Sequence, residues 1–500
     1  MAAAEAMAAG LPLIVTGAGG HMDFCGEDTA RLVAWRHAPS QSHLAMPHSL
    51  WSEPDADDLV AALREIAAAC RNAGDANQHL AARSRRAAAA IAQITSPKLI
   101  ADRVRETALD LLLAPLPMPH RIAVVTSWGV RCGVAEYSRH LLEHFPKSDL
   151  VAGITVLADR RIAAGDRDAT PRVLSAWTLG DTTESTVGLA AAISEEDPSI
   201  VLVQHQPGLF DFTALAQLLQ SPGLAGRVVC VTLHNVQVLV EEKATPRAAA
   251  LAALAAVARV VVHTLADLER MRRMGLSDNV TMMPQGVLPP GPAAPIRSFS
   301  DAAPPRIGCY GFFLPGKGIG ELIEAMVQLR RTWRGVRLRL VNAEYDHPVS
   351  RDEIARCRAI AVTAGLEDAI EWQTEFLADA ESRALLAECD VLVLPTQKSQ
   401  EGSSASLRGL LAAGAPVMVT PLALFDEAGP AVVRAPGFSA EDLAEGLRRL
   451  LTDVPLRAAV QAQAQTWLET RGWNQVASRL LGMLLALAAQ GKPTGSPDKA

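Results

Sequence analysis

Two stretches of this chain are one segment written twice. Residues 3–16 read AAEAMAAGLPLIVT and residues 408–420 read RGLLAAGAPVMVT, so Gly10 aligns with Gly414 and Pro12 with Pro416. Each reads as a helix ending in Ala-Ala-Gly, a tight turn at proline and a buried β-strand. A repeat of this kind sets the domain count before any other feature. The second copy follows a long α/β pattern that begins near residue 121, whereas the first has almost nothing before it. The chain is therefore expected to begin inside one domain, residues 1–113, and then to contain a complete unit over about 121–490, with Met1 an internal start within a longer tandem protein.

Bulk properties exclude several classes. Five hundred residues exceed what one core supports. A hydrophobic content of 49% with 20% charged residues is ordinary for a globular chain. A net charge of −7, a pI near 6.0 and only 4% aromatics argue against nucleic acid as a partner. The seven cysteines (25, 70, 132, 230, 309, 357, 389) are odd in number and form no Cys-x-x-Cys pair. That fits reduced thiols in a cytoplasmic protein better than a disulfide frame or a zinc site. The Ala-rich start lacks the basic region of a signal peptide, since the first basic residue is Arg31 and Glu5 interrupts the run. Leu480–Ala489 is about half of the roughly 20 residues that span a bilayer, so a packed helix is expected there.

Periodicity then orders the chain. Residues 10–35 read as strand, Gly-rich turn and short strand. A helix opened by acidic residues follows at 53–70; its counterpart is 438–451. Residues 73–113 continue as helix, and 114–120 form a linker. RIAVVTSW (121–128) reads as a first parallel strand and 130–145 as a glycine turn plus amphipathic helix. Further buried strands are expected at 199–206, 227–235 and 258–264, with helical stretches between them. The Pro-rich, aperiodic stretch 288–305 is the expected hinge. A second alternation places strands at 306–313, 336–343, 368–375, 390–396 and 416–420, with helices at 318–331, 351–364, 379–388 and 404–413. The predicted class is α/β, with two doubly wound parallel sheets (121–287 and 306–470) facing a cleft. A helix over 471–490 packs back, and 491–500 form a disordered tail.

Two constellations carry chemistry. In LPTQKSQEGSSASLRGLLAAGAPVMVT (394–420) a strand ends, a polar loop carries Glu401, and a helix starts near Ser403 and Ser404. Free amides at such a start hold anionic or hydroxyl-rich ligands, and Glu401 can accept hydrogen bonds from sugar hydroxyls. The same residues would equally serve as helix caps. In YGFFLPGKGIGELIEAM (310–326), Gly311, Gly316 and Gly318 permit close backbone approach to a phosphate, and Lys317 can neutralise charge growing on a diphosphate. A surface lysine on a glycine turn is the plainer alternative.

Together these segments resemble the retaining glycosyltransferases of family 4, which have the GT-B fold. The resemblance covers RIAVVTSWGVRCGVAEYSRHLL, the VTLHN strand end, VVHT, MPQGV, YGFFLPGKG, and the Glu401 loop with AAGAPV; EAMAAGLPLIVTGAGGHMDF resembles the stretch after the donor loop of another such enzyme. It implies that 121–287 is the acceptor-side domain and 306–470 the donor domain. It implies that Lys317 contacts the donor diphosphate, Glu401 holds the donor sugar, Gly133 lies against phosphate and acceptor, and His234 stands at the donor-facing end of a strand. Three positions depart from the family pattern: Gly409 replaces the second signature glutamate, Phe312 an arginine, and Gln285 a histidine. Arg408 is the expected substitute phosphate contact, unless it is a solvent-facing helix residue. Residues 1–113 carry Glu5 at the second-glutamate position but no phosphate lysine, and are expected to be inactive alone. The implied reaction moves a hexose, mannose for preference, from a nucleotide diphosphate-sugar to a glycan or lipid-linked glycan. No cofactor and no metal are expected. The resemblance places the protein in the cytoplasm, admitting peripheral association with the inner membrane face and contacts with other glycosyltransferase units. The competing readings are a non-catalytic scaffold and a sugar-nucleotide epimerase or phosphorylase on the same fold.

Overall fold

The computed structural model describes residues 2–41, 49–71, 74–113, 118–160, 171–180, 182–399 and 401–490. Residues 114–117 of the expected 114–120 linker and the tail after 490 lie outside them; His120, at the end of that linker, already belongs to a strand. The chain forms two compact units, Met1–Pro117 and Met118–Ala500.

In the first unit α1 (Ala2–Ala8) turns at Gly10 into β1 (Ile14–Thr16), which pairs in parallel with β2 (Arg31–Val33). Strands β3 (Trp35–Pro39) and β4 (Leu50–Pro54) form an antiparallel hairpin. Periodicity missed this hairpin because its charged and proline residues mask the two-residue alternation. Helix α2 (Ala56–Arg71) opens on Asp57 and Asp58. The single helix expected over 73–113 is instead α3 (Asp75–Ile94) and α4 (Pro97–Leu113). Pro97 cannot donate a backbone bond, so it starts a new helix rather than extending the old one. Met7, Leu13, Cys25, Ala30, Ala87 and Ile91 make a small core.

The second unit has two lobes. The first runs β5 (His120–Val125), α5 (Gly133–Glu143), β6 (Val151–Asp159), β7 (Arg172–Trp177), α6 (Thr182–Glu196), β8 (Ile200–His205), α7 (Phe212–Leu219), β9 (Val228–Leu233), α8 (Val236–Glu241), α9 (Ala244–Ala255), β10 (Arg259–Val262), α10 (Leu265–Arg273) and β11 (Val280–Met282). Its seven-stranded sheet is ordered β11-β10-β9-β8-β5-β6-β7, every pair parallel. Strands β6 and β7 fall in residues 146–198, where periodicity marked no strand. They lie on the outer side of the sheet, and their half-buried residues blur the continuous apolar run that marks β8.

The second lobe runs β12 (Arg306–Phe313), α11 (Ile319–Thr332), β13 (Arg337–Glu344), α12 (Pro348–Thr363), β14 (Ile370–Gln373), α13 (Asp379–Ala387), β15 (Val391–Leu394), α14 (Ala405–Ala412), β16 (Val417–Val419), β17 (Val433–Arg434), α15 (Ala440–Thr452) and α16 (Val454–Glu469). Its sheet is ordered β14-β13-β12-β15-β16-β17, again all parallel. The chain leaves and re-enters the first lobe at neighbouring points, where the Val287 N–H donates to the Arg471 carbonyl at 2.9 Å. Helix α17 (Trp473–Ala489) then buries Leu480, Leu481 and Leu484 with Ile122 and Val124 of the first lobe. The late apolar run is thus a packed helix, and no helix among the described residues is long and apolar enough to cross a membrane.

Candidate functional site in the cleft

Parallel strands deliver their C-terminal ends to one edge, and in both lobes that edge faces the other lobe. The contacts show this. Gly402, after β15, sits so close to the end of β9 and to α10 that a Cβ there would lie 2.5 Å from Asp267 Oδ2 and 3.5 Å from the His234 carbonyl oxygen. Arg131, after β5, lies 5.7 Å from the ring centre of Phe376, after β14. Asp379, at the start of α13, takes a 3.1 Å ion pair from Arg139 and a 3.0 Å contact from His140, both on α5.

Lys317 and Glu401 are 84 residues apart in sequence, yet Lys317 Nζ lies 3.2 Å from Glu401 Oε1. Lys317 lines a pocket of the second lobe together with Tyr310, Phe312, Asn342, Thr396, Ser404 and Ser406. The cation lines this pocket, and the carboxylate reaches it from the loop after β15 through the ion pair. Gly318 caps α11 with φ +75°, and a Cβ there would strike the Pro395 carbonyl oxygen. Only glycine fits, because the β12–α11 turn is pressed onto the end of β15. Gly311 sits with its Cβ position 3.0 Å from Ser406 Oγ, and Gly316 beside Lys398. Both keep the backbone tight around the pocket. Gly133 is the first residue of α5, and a side chain there would meet nothing within 4 Å.

Ser404 caps α14, its hydroxyl accepting from the Leu407 N–H at 3.2 Å, while it also lines the pocket. Ser403 Oγ donates to Glu427 at 3.0 Å. Arg408 departs from both expectations for it. It is only 4% exposed, and its guanidinium donates twice to Glu427, at 2.9 Å each, and once to the Ser404 carbonyl at 2.8 Å. It therefore neither faces solvent nor lines the pocket. With Nη2 shared between both Glu427 oxygens and Nη1 on the Ser404 carbonyl, the donors that a phosphate would need are already taken.

His234 is half-buried, and both ring nitrogens are engaged inside the first lobe. His263 Nδ1 donates to the Met283 carbonyl at 3.0 Å, because a carbonyl can only accept. His263 Nε2 must then accept from His234 Nδ1, 3.1 Å away. Gln204 Oε1 lies 2.9 Å from His234 Nε2; since that nitrogen is left as an acceptor, turning the Gln204 amide over satisfies it and also pairs the otherwise orphaned Gln204 Nε2. Burial, reinforced by neighbouring His263, holds the His234 pKa well below 6.5, and burial takes His263 down to about 4. Both rings are neutral at pH 7. What His234 presents toward Gly402 is its backbone carbonyl.

The family departures have local causes. A Cβ on Gly409 would lie 2.8 Å from the Tyr310 ring, so the place of a second glutamate is filled by an aromatic. Phe312 stacks on Phe376 at 5.9 Å and meets Tyr345 edge-on at 5.4 Å. Sequence reasoning passed over Asn342. It is 2% exposed, lines the pocket, and has an unpartnered Oδ1. An amide closing an otherwise apolar strand at the cleft edge was the available signal. Asp379 was also missed; the His140 hydrogen bond and the Arg139 charge hold its carboxyl below the usual range. Two carboxylate–histidine groups around α5 have metal-like spacing (Glu136, His140 and Asp379 of α13; His140, Glu143 and His144 just past the helix). The Arg139 guanidinium already sits among their carboxylates, at 2.7 Å from Glu136 and 2.8 Å from Glu143.

Comparison with known proteins agrees with this architecture. Residues 304–453 match the family model Glycosyl transferases group 1. No curated protein matches the chain in sequence. Sucrose-phosphate synthase from Thermosynechococcus elongatus superposes with a TM-score of 0.58 at 15% identity, covering 74% of this chain and 100% of its own. Anabaena HepE in complex with UDP-glucose gives 0.56 at 16% identity, covering 73% and 100%. The UDP-forming trehalose-phosphate synthase of Burkholderia xenovorans, in complex with glucose-6-phosphate, gives 0.55 at 12%, covering 73% and 99%. The fold is GT-B, and its second lobe carries a glycosyl transferases group 1 domain.

Proposed function

We propose that residues 118–490 transfer a hexose from a nucleotide diphosphate-sugar to a hydroxyl of a glycan or lipid-linked glycan, with retention at the anomeric carbon. The observation that carries this reading is the 3.2 Å Lys317–Glu401 pair at the mouth of a pocket floored by the start of α14. The matched domain and the UDP-glucose held by HepE support the donor class. Mannose is the first sugar to test, and polysaccharide assembly in the cytoplasm, at the inner membrane face, is the setting.

In this mechanism the donor diphosphate displaces Glu401 from Lys317. The ammonium and the amides at the α14 N-terminus take up the charge that grows as the bond from C1 to the phosphate oxygen breaks. Glu401, released, accepts from hydroxyls of the donor sugar. The acceptor oxygen bonds to C1 on the face the phosphate leaves, and its proton passes to the departing phosphate. No carboxylate is needed as a nucleophile and no divalent ion is invoked. The Asp379 bridge to Arg139 and His140 holds the lobes together while water is excluded. His234 positions Gly402, and through it the Glu401 loop.

One observation favours a scaffold instead. Gly409 lies under Tyr310 and Arg408 is committed to Glu427, so the nucleotide has fewer protein contacts than the family pattern provides. Titration calorimetry with GDP-mannose, UDP-glucose and UDP-N-acetylglucosamine separates the two. Binding of one donor, followed by transfer that persists in chelator and gives a product of unchanged anomeric configuration, is expected. Failure of all three to bind sinks the catalytic reading.

A further inference from the structure

The repeat gives the first unit an internal template, and the template shows what is missing from it. In the second lobe β16 is a middle strand, with β15 on one side and β17 on the other. Its even-numbered residues serve β15: the Leu392 N–H donates to the Pro416 carbonyl at 2.9 Å, and the Thr420 N–H donates to the Leu394 carbonyl at 3.3 Å. Val419 serves β17, accepting from the Ala435 N–H at 2.8 Å.

Strand β1 repeats this arrangement on one side only. Leu13 accepts from the Arg31 N–H and the Gly17 N–H donates to the Val33 carbonyl, both at 2.9 Å, so residues 13, 15 and 17 serve β2. The alternating residues point the other way. The Pro12 carbonyl, the Ile14 N–H and carbonyl, and the Thr16 N–H therefore face an edge with no strand among the described residues. They match Pro416, Met418 and Thr420 in the template.

A second opening lies beside the first. In the template, hinge residues cross the Ala-Ala-Gly turn: the Gly291 N–H donates to Ala412, the Ala294 N–H donates to Gly414, and Gln461 clamps both the Ala294 and Gly414 carbonyls. In the first unit a Cβ on Gly10 would meet nothing within 4 Å. Instead a groove of about 380 Å³ runs past Gly10 and Pro12 along Asn77, Leu80, Ser84 and Arg85.

We propose that this face of the first unit is a docking surface for the leading half of a donor-type lobe, supplied by polypeptide outside the residues of this chain. It would enter as an apolar parallel strand of the VLVL type against β1, with a hinge-like strap in the groove. A second copy of this chain meeting its own β1 across a two-fold axis would pair antiparallel, which neither the template nor the groove fits. Main-chain bonds provide the attachment and the apolar alternation provides the register, as in other strand-addition complexes.

The test is amide hydrogen exchange on the full chain, read residue by residue, with a peptide of the sequence of Asp390–Thr396 (DVLVLPT) as the probe. Without peptide, Ile14 and Thr16 should exchange at least tenfold faster than Met418 and Thr420. Saturating peptide should slow Ile14 and Thr16 at least tenfold. N-methylation of the peptide at the positions of Leu392 and Leu394, whose amides face β16 in the template, should abolish the effect; N-methylation at that of Val393 should not. Three results overturn the proposal. These are protection of Ile14 and Thr16 in the chain alone at high dilution, protection that grows with chain concentration without peptide, and no response to the unmethylated peptide.

Discussion

The chain contains the same helix–turn–strand twice, and the two copies have different fates. Val417, Met418 and Val419 are completely buried, held between β15 and β17, whereas Ile14, Val15 and Thr16 are half-buried with one strand neighbour among the described residues. Gly414 is roofed by the hinge, whereas Gly10 is open. Position 408 holds an arginine locked to Glu427; the aligned position in the first copy is Ala4. Local sequence therefore specifies the motif, but its neighbours decide whether it becomes core or surface. They also decide whether it carries a site.

Substitutions can break or sharpen this contrast. The largest effect is expected from Arg408→Ala, which strands the Glu427 carboxylate in a buried position. It should cost about 3–5 kcal/mol in denaturant unfolding, with Arg408→Ala/Glu427→Leu recovering much of the loss. A change below 1 kcal/mol would mean that the second copy does not depend on its buried pair. Next comes Lys317→Ala, expected to lower kcat by about 10²–10³ if the ammonium supports the leaving phosphate. In contrast, Glu5→Gln in the first copy should change transfer less than about twofold, and a larger loss would place the first unit in the chemistry.

A smaller, purely structural contrast lies in the two turn glycines. Gly10 and Gly414 have φ +68° and +88°. Alanine at either pays the left-handed penalty of about 1–2 kcal/mol, but at 414 it must also push away the Pro292 carbonyl. Gly414→Ala should therefore lower stability by about 2 kcal/mol more than Gly10→Ala; equal losses would show that the hinge does not clamp the second copy. A separate test of the contrast uses acid. Burial lowers His205 and His263 to about 4 and His234 well below 6.5, so the unfolded chain binds protons that the native chain refuses. Stability is then full above about pH 6.5 and falls as pH drops toward 4, by about 1.4 kcal/mol per pH unit for each such histidine. Neither copy of the repeat contains a histidine, so changes in either should leave this slope unaltered, while His263→Gln should flatten it.

Legibility of the sequence followed burial. Strands such as β8, β9 and β15 are buried on both faces and read as continuous apolar runs, which composition alone exposes. Strands β6 and β7 at the outer side of their sheet, and the β3–β4 hairpin, are half-solvated and carry no such run. Lys317 and Glu401 could be chosen because glycine turns and helix starts mark their own surroundings. Asn342 could not be ranked above other strand-end amides, since its orphaned oxygen exists only once β12, β13 and α14 are packed.

What the sequence determined by itself was local: the repeat, the order of strands and helices from β12 to β16, and the glycine turn at Gly318. Backbone sterics and apolar periodicity act over a few residues, so they can be read without coordinates. What the tertiary structure decided was pairing across distance. It gave Arg408 to Glu427, closed His234 into a chain with His263 and Gln204, set Tyr310 over Gly409, and left β1 with one edge unpaired among the described residues. Those outcomes depend on which surfaces meet, and meeting is fixed by the packing of whole layers rather than by any one segment.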